Sequence, residues 1–181
     1  MVKETYTVRD LTCMALFADA GLAGKKLISP LANSITVMMH IPGGIGTAFS
    51  LMFLVIGTEL LDRKHAGALM AFVQAVIALM MGMTGSMGGF IVIAYLVPGL
   101  VIDTVHWLLK KQDRCFRIME ENAAGSLAAA VFANAMVFRL GGTAGCLYFS
   151  TALTAGLSAG FTAYLCVTHL KKVKGFLCVR K

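Results

Sequence analysis

The sequence predicts an all-α integral membrane protein with six transmembrane helices and a long structured outer loop between helices 1 and 2. Hydrophobic residues make up 58% of the 181 residues and charged residues only 14%. Such a chain has too little polar surface to cover a soluble globule of this size. Apolar segments also recur at lengths near the ~20 residues that cross a bilayer. We therefore expect one six-helix domain over residues 1–181.

Apolar runs separated by charged or glycine-rich connectors place the six helices. The predicted helices cover, in order, residues 8–23, 45–61, 66–83, 88–109, 123–140 and 144–170. Helix 1 is short and is interrupted by Asp19. Connectors such as Gly141-Gly142-Thr143 are typical of turns that end one helix and begin the next. The predicted outer turns between helices 3 and 4 and between helices 5 and 6 are tight, whereas some twenty residues separate helix 1 from helix 2.

The distribution of basic residues predicts the orientation. With a cytoplasmic N-terminus, thirteen of the sixteen Lys and Arg residues face the cytoplasm and only Lys25, Lys26 and Arg139 face outside. This asymmetry is typical of multi-pass membrane proteins. We expect a cell-membrane protein with both termini in the cytoplasm and a basic tail over residues 171–181. The net charge of +7 then meets anionic lipid head groups, and no nucleic-acid partner is expected.

Residues 25–44 form the predicted outer loop. They contain Pro30, Pro42 and a Gly43-Gly44 pair, but also many apolar side chains that would be costly to leave in water. Loops of this length are usually functional or disordered, and this composition favours a folded lid or plug over the helices. The free amides at the start of helix 2 then face the outer side and suit an anion or acceptor. The alternative is a purely structural cap.

Polar side chains in the outer half of the bundle predict a substrate site, because each is costly in lipid unless it is paired or faces a cavity. Counted at ~1.5 Å per residue, five of them lie at similar depth in the helices. The lid adds two more. The candidate substrate-binding residues are Asp19, Asn33, His40, Tyr95, Asn134, Arg139 and Tyr148.

Several of these candidates have a structural alternative. Asp19 has Lys25, Lys26 and Arg139 as potential ion-pair partners, and Tyr148 has the residue type of an interfacial anchor. His40 alone is more often a hydrogen-bonded loop histidine than a ligand. Metal coordination by His40 with its neighbours Met38 and Met39 is disfavoured because adjacent residues rarely aim at one ion. We expect no metal site and no cofactor.

A second polar group lies towards the inner side of the bundle. Its members are Glu59, Asp62, Asp103, His106 and Trp107. Asp103 and His106 are three residues apart on one helix face, so they can bond to each other or to Arg63. A membrane enzyme would need a fuller set of catalytic groups. We therefore favour a salt-bridged inner collar, with Trp107 as an interface anchor.

Two stretches carry a family resemblance. "HIPGGIG" leads into helix 2 and "GSMGGFIVIAYLVPGLVIDTV" makes up helix 4. With six helices and a long Pro- and Gly-containing first loop, they resemble the substrate-binding S components of energy-coupling factor (ECF) transporters. The resemblance implies a vitamin-class solute, or sometimes a metal ion, captured from outside. It also implies a transmembrane coupling (T) subunit and two cytoplasmic ATPases as partners. The chain itself has no GxxxxGK[ST] phosphate loop, so ATP chemistry is expected from those partners.

The resemblance also implies a docking surface for the coupling subunit, typically an AxxxA pattern on helix 1. Here Ala15 is followed four residues later by Asp19, so the AxxxA pattern is broken. Helix 1 keeps only a less regular series of small residues, Ala15, Ala18 and Ala20. A strict spacing occurs at Ala71 and Ala75 in helix 3, which we also assign as docking residues. Small residues four apart serve internal packing equally well. The alternative function is a tetraspan-like or regulatory membrane protein that binds partners without transport.

Overall fold

The computed structural model describes residues 6–38, 45–83 and 85–172. Within these ranges the chain is all-helical with six α-helices, which confirms the all-α part of the prediction and the number of helices. The α-helices are α1 (Val8–Met38), α2 (Ile45–Leu61), α3 (Ala66–Met80), α4 (Ile91–Leu108), α5 (Arg114–Ala133) and α6 (Gly142–Lys172). A 3-10 segment, Gly85–Phe90, precedes α4, and a π-helical turn, Asn134–Phe138, follows α5.

Helix α1 ends fifteen residues later than predicted. Most of the segment that was predicted as an outer loop, residues 25–44, is therefore helical, and that part of the prediction is wrong. The helix continues through Pro30 to Met38. Pro30 removes one backbone donor, but Lys and Leu residues before it are strong helix formers that sustain the helix. For residues 31–38 only the helical backbone is described. His40, Pro42 and Gly43-Gly44 lie outside the described residues.

Helix α5 begins at Arg114 and not at residue 123 as predicted. The segment 114–122 contains four charged residues, and this composition suggested a connector. Ile118, Glu121 and Asn122 are nevertheless buried on one helical face, so tertiary contacts stabilise a helix here. The bounds of α2 agree with the prediction, and those of α3, α4 and α6 differ by three residues or fewer.

Helix α2 is the centre of the bundle. It packs against α1, α3, α4, α5 and α6, and every residue from Leu54 to Leu61 is buried. The short connections after α2, α4 and α5 reverse the chain direction each time. The charged ends of all six helices therefore meet at one end of the bundle. We call this the charged end; it contains the starts of α1, α3 and α5 and the ends of α2, α4 and α6.

Small residues allow close helix contacts inside the bundle. Gly156 and Gly160 bring α6 against α5, where an added Cβ would lie 2.8 Å from the Cα atoms of Ala123 and Met119 respectively. An added Cβ at Gly99 on α4 would lie 2.5 Å from the Cβ of Ala71 on α3.

This packing corrects the predicted docking surface. Ala18, Ala71 and Ala75 are fully buried, so they serve internal packing and are not accessible to another chain, whereas Ala15 is half-buried.

The outer faces of several helices are apolar. Two helices, Gly88–Leu108 and Gly142–Lys172, are long and apolar enough to cross a membrane, and α2 and α3 are apolar but shorter. On α3 the exposed residues Leu69, Phe72, Val76 and Leu79 follow one helical face. On α4, Ile93, Leu100 and Trp107 are exposed at seven-residue spacing. Continuous apolar stripes of this kind favour association with a membrane.

Candidate functional site

A cavity of about 160 Å³ lies between α1, α2, α4, α5 and α6, near the end of the bundle opposite the charged end. A single water needs ~10 to 15 Å³ of such space, so the cavity accommodates a molecule with on the order of ten or more non-hydrogen atoms. Most of the lining is apolar. The polar lining residues are Lys25, Thr47, Ser50, Tyr95, Ser126 and Tyr148. We call this space the outer cavity.

Two hydroxyl groups in the outer cavity have no hydrogen-bond partner. Ser50 on α2 and Ser126 on α5 are 2% and 3% exposed, and neither Oγ atom bonds to any described residue. A buried hydroxyl without a partner costs free energy, so native structures pair nearly all of them with protein, water or ligand. Ser50 and Ser126 therefore mark positions where a bound molecule would supply the missing bonds.

Lys25 and Tyr95 form the most polar part of the lining. The Lys25 Nζ donates to the Tyr95 hydroxyl oxygen at 3.0 Å and lies 4.7 Å from the centre of the tyrosine ring. Tyr95 accepts this bond with its oxygen, so its own O–H remains available to donate. The contact joins α1 to α4 and fixes an ammonium group at the cavity wall.

Helix α5 contributes the space itself. Ser126, Ala129, Ala130 and Ala133 follow one helical face at i, i+3, i+4 and i+7, and all line the cavity. Their small side chains leave room that larger residues would fill. Tyr148 on α6 is buried on the far side, where its ring packs edge-on against Phe138 at 5.7 Å between ring centres.

The structure brings only part of the predicted site together. Tyr95 and Tyr148 both line the outer cavity. His40 lies outside the described residues, and so does the side chain of Asn33. Asp19 is exposed on α1, on the same side as Leu16 and Ala23. The prediction that Asp19 lines the same pocket as the tyrosines is therefore wrong. The helix turns the Asp19 side chain away from the interior of the bundle.

Asn134 and Arg139 also lie outside the cavity lining. The Asn134 Oδ1 accepts a hydrogen bond from the Leu140 amide at 2.8 Å, and its Nδ2 donates to the Leu140 carbonyl at 3.2 Å. Arg139 is exposed with a φ of 49°, in the left-handed region. Both residues therefore close the turn between α5 and α6, which corrects their assignment as substrate contacts.

Lys25, Thr47, Ser50 and Ser126 were missed as lining residues. A detectable signal existed in the sequence. Thr47, Ser50 and Leu51 have helical spacing at the start of α2, and Ser126 begins a run of small residues on one face of α5. Hydroxyl groups on the faces of two apolar helices indicate a shared cavity. Serine and threonine cost little free energy in a membrane-spanning helix, however, so these residues did not stand out as a polar site.

The charged end contains a buried ion network around Glu59, whose side chain is 2% exposed. The Arg117 guanidinium donates to Glu59 Oε1 through Nε at 2.7 Å and also through Nη2. Lys171 Nζ lies 3.6 Å from Glu59 Oε2. This network joins α2, α5 and α6, and it supports the predicted inner collar, although Arg117 and Lys171 were not predicted members.

Glu121 and His106 extend the network to α4. The Nδ1 of His106 lies 2.8 Å from Oε1 of Glu121, which is fully buried, and 3.7 Å from Oε1 of Glu59. Two carboxylates and an imidazole are a donor set that suits a divalent metal, and their ligand atoms lie within 4.8 Å of one another. Arg117 and Lys171 already neutralise these carboxylates, however. We therefore assign the cluster as an ion network and not as a metal centre.

Asp62 closes the charged end towards solvent. Its carboxylate lies 3.3 Å from Lys110 Nζ and 3.7 Å from His106 Nε2. Partial burial acts to raise the pKa of Asp62, but the hydrogen bond and charge of Lys110, together with His106, outweigh it and lower the pKa below its usual value. Asp62 therefore remains ionised at neutral pH.

A wider cleft of about 470 Å³ opens beside Asp62 and contains Arg63, Asp103 and Trp107. Two pairs of charged groups are already formed within or beside it: Arg63 pairs with Asp10 at 3.1 Å and Asp62 with Lys110 at 3.3 Å. Asp103 does not bond to His106 or Arg63 as expected. Its two oxygens accept hydrogen bonds from the amides of Gly67 and Ala68, each at 2.8 Å, so this α4 carboxylate caps α3. The outer cavity is therefore the stronger ligand site.

The cap predicts a measurable loss of stability. Replacement of Asp103 by alanine should lower the free energy of unfolding by ~1 to 3 kcal/mol, because two amides at the start of α3 lose their acceptors. Thr104→Ala is the matched control, since Thr104 is exposed and bonds only to Leu100 in its own helix. Thermal midpoints of the purified proteins measure the difference. Equal midpoints for both variants would contradict the capping role.

Comparison of the chain with protein-family models, with curated proteins and with solved structures gives no match.

Proposed function

We propose that this protein is the substrate-binding subunit of an ECF-type ABC importer, which captures a vitamin or vitamin-precursor-like solute from outside the cell. The observation that carries the proposal is the outer cavity with the unpartnered hydroxyls of Ser50 and Ser126. A ligand that fills this cavity removes the cost of both buried groups. A protein that only binds partners, the tetraspan-like or regulatory alternative, has no use for such a cavity.

The position of the cavity supports capture from outside. Basic residues Arg63, Lys110, Arg114, Arg117 and Lys171 gather at the charged end. By the positive-inside rule, we propose that this end faces the cytoplasm and that the outer cavity lies towards the external face of a multi-pass membrane protein. The apolar stripes on α3 and α4 then face lipid. Transport requires energy from partners, for which we propose a transmembrane coupling subunit and two cytoplasmic ATPases.

Mass spectrometry of small molecules released from the detergent-purified, denatured protein tests the proposal. We expect one solute at near-stoichiometric amount. Release of no small molecule from protein purified under several growth conditions would contradict the proposed function. Reconstitution with a coupling subunit and ATPases tests uptake separately.

Ser50→Ala and Ser126→Ala should each weaken binding of the released solute by roughly 5- to 150-fold, because each removes one buried hydrogen-bond partner. The same variants should leave the thermal midpoint of the solute-free protein unchanged or raise it, since each removes an unpartnered buried hydroxyl. Ser158→Ala is the control, because Ser158 is exposed and bonds to Ala155 within α6. Lower solute-free stability with unchanged affinity would assign both serines a structural role.

A further inference from the structure

We infer that the molecule bound in the outer cavity is a small organic anion with a single negative charge, held at Lys25 and Tyr95, with acceptor atoms towards Ser50 and Ser126. This inference rests on the proposed function and specifies its substrate class. It depends on the charges and hydrogen-bond donors that line the cavity.

The charge balance of the lining selects an anion. Lys25 is the one Lys or Arg among the described lining residues, and that lining contains no Asp or Glu. The Lys25 ammonium has only a neutral hydroxyl as its hydrogen-bond partner among the described residues. A half-buried cation without a counter-ion is costly, and an anionic ligand supplies the missing charge. One cation balances one negative charge, so a monoanion fits better than a dianion.

The hydrogen-bonding groups select a ligand rich in acceptors. An ammonium only donates, and the Tyr95 hydroxyl is left with a hydrogen to donate after it accepts from Lys25. The Ser50 and Ser126 hydroxyls add two further donors on α2 and α5. Carboxylate and carbonyl oxygens accept such bonds, and bonds to a charged acceptor are the strongest of them.

The same lining disfavours a metal ion or an organic cation. A divalent cation needs carboxylate, imidazole or thiolate donors, and the described lining offers hydroxyls and an ammonium. Any cation would also be repelled by Lys25. The apolar walls, which include Met83, Ile91 and Phe138, suit a hydrocarbon or aromatic body attached to the anionic group.

The released solute provides the first test. Mass spectrometry should identify a carboxylate or another monoanion from wild type and from Lys26→Met, and at least tenfold less from Lys25→Met. Lys26 is the matched control because it is exposed next to Lys25 and does not line the cavity. A neutral or cationic solute would overturn this inference and leave the proposed function intact. Release of no solute from wild type contradicts the proposed function itself.

Paired probes test the charge directly. Benzoate and its neutral amide, benzamide, have nearly the same shape, and each is titrated against solute-free protein by isothermal calorimetry. We expect wild type and Lys26→Met to bind benzoate about 10- to 150-fold more tightly than benzamide, and Lys25→Met to lose this preference. Equal affinities in wild type, tighter binding of benzamide, no detectable binding of benzoate, or an unchanged preference in Lys25→Met would each overturn the anion assignment.

Discussion

Replacement of Glu59 by alanine should lower the free energy of unfolding by ~3 to 5 kcal/mol, the largest loss that we expect from any single side chain. Glu59 is buried on α2 and pairs with Arg117 of α5 and Lys171 of α6. Without it, the remaining carboxylate partner of Arg117 among the described residues is Glu121, at 3.5 Å, and Lys171 loses its carboxylate partner. Removal of one member of a buried ion pair is strongly destabilising because the other charge remains without compensation.

The thermal midpoint in detergent measures this effect, with a decrease of roughly 6 to 20 °C expected for a chain of this size. Asp113→Ala is the control, since Asp113 is exposed and its side chain does not cap α5. The double variant Glu59→Gln, Lys171→Met should recover part of the loss because it removes an unpaired cation along with its partner. If Glu59→Ala melts at the temperature of Asp113→Ala, the network does not stabilise the fold.

Replacement of Gly160 by leucine should lower the free energy of unfolding by ~1 to 3 kcal/mol or more, by separating α5 from α6. A Cβ at Gly160 would lie 2.8 Å from Met119 Cα and 3.2 Å from the Ile118 carbonyl oxygen. These are backbone atoms, so relief requires movement of a whole helix and not of one side chain.

Gly141→Leu is the matched control, because a Cβ at Gly141 meets no atom within 4 Å and its φ is not in the left-handed region. Thermal midpoints again distinguish the two variants. A crosslink between cysteines placed on α5 and α6 reports the separation independently. Gly160→Leu with a wild-type midpoint and wild-type crosslinking would show that α5 and α6 do not need this close approach.

Much of the fold could be predicted from hydropathy, because helices that face an apolar core or lipid need continuous apolar runs. Helix α2, which is buried almost throughout, is the clearest case, and both its bounds agree with the prediction. Hydropathy failed where tertiary contacts override composition. The polar residues Glu121 and Asn122 are buried in α5, where each bonds to a group on another helix: Glu121 to His106, and Asn122 to the carbonyl of Gly156.

The candidate site was less predictable than the fold. Counting residues along a helix gives an expected depth in the bundle, but it does not tell which side of the helix faces the cavity. Asp19 was expected to face the interior, but it lies on the exposed side of α1, next to the buried Ala18. Tyr95 and Tyr148 reach the outer cavity because their helix faces turn inwards. The side chain of Asn134 bonds to the backbone of Leu140 in the turn after α5. Helical periodicity in the sequence does not predict such a local hydrogen bond.

The location of the ion network has an evolutionary consequence. Every ion pair between described residues lies at the charged end, whereas the outer cavity is lined mainly by small and apolar side chains at the other end. Substitutions that are far apart and share no partners have nearly additive effects on stability. Lining residues such as Thr47 or Ala129 can therefore diverge to fit a new molecule while the interhelical clamp around Glu59 keeps the fold. The scaffold is in this sense readily evolvable, since changes of specificity are uncoupled from the interactions that preserve its architecture.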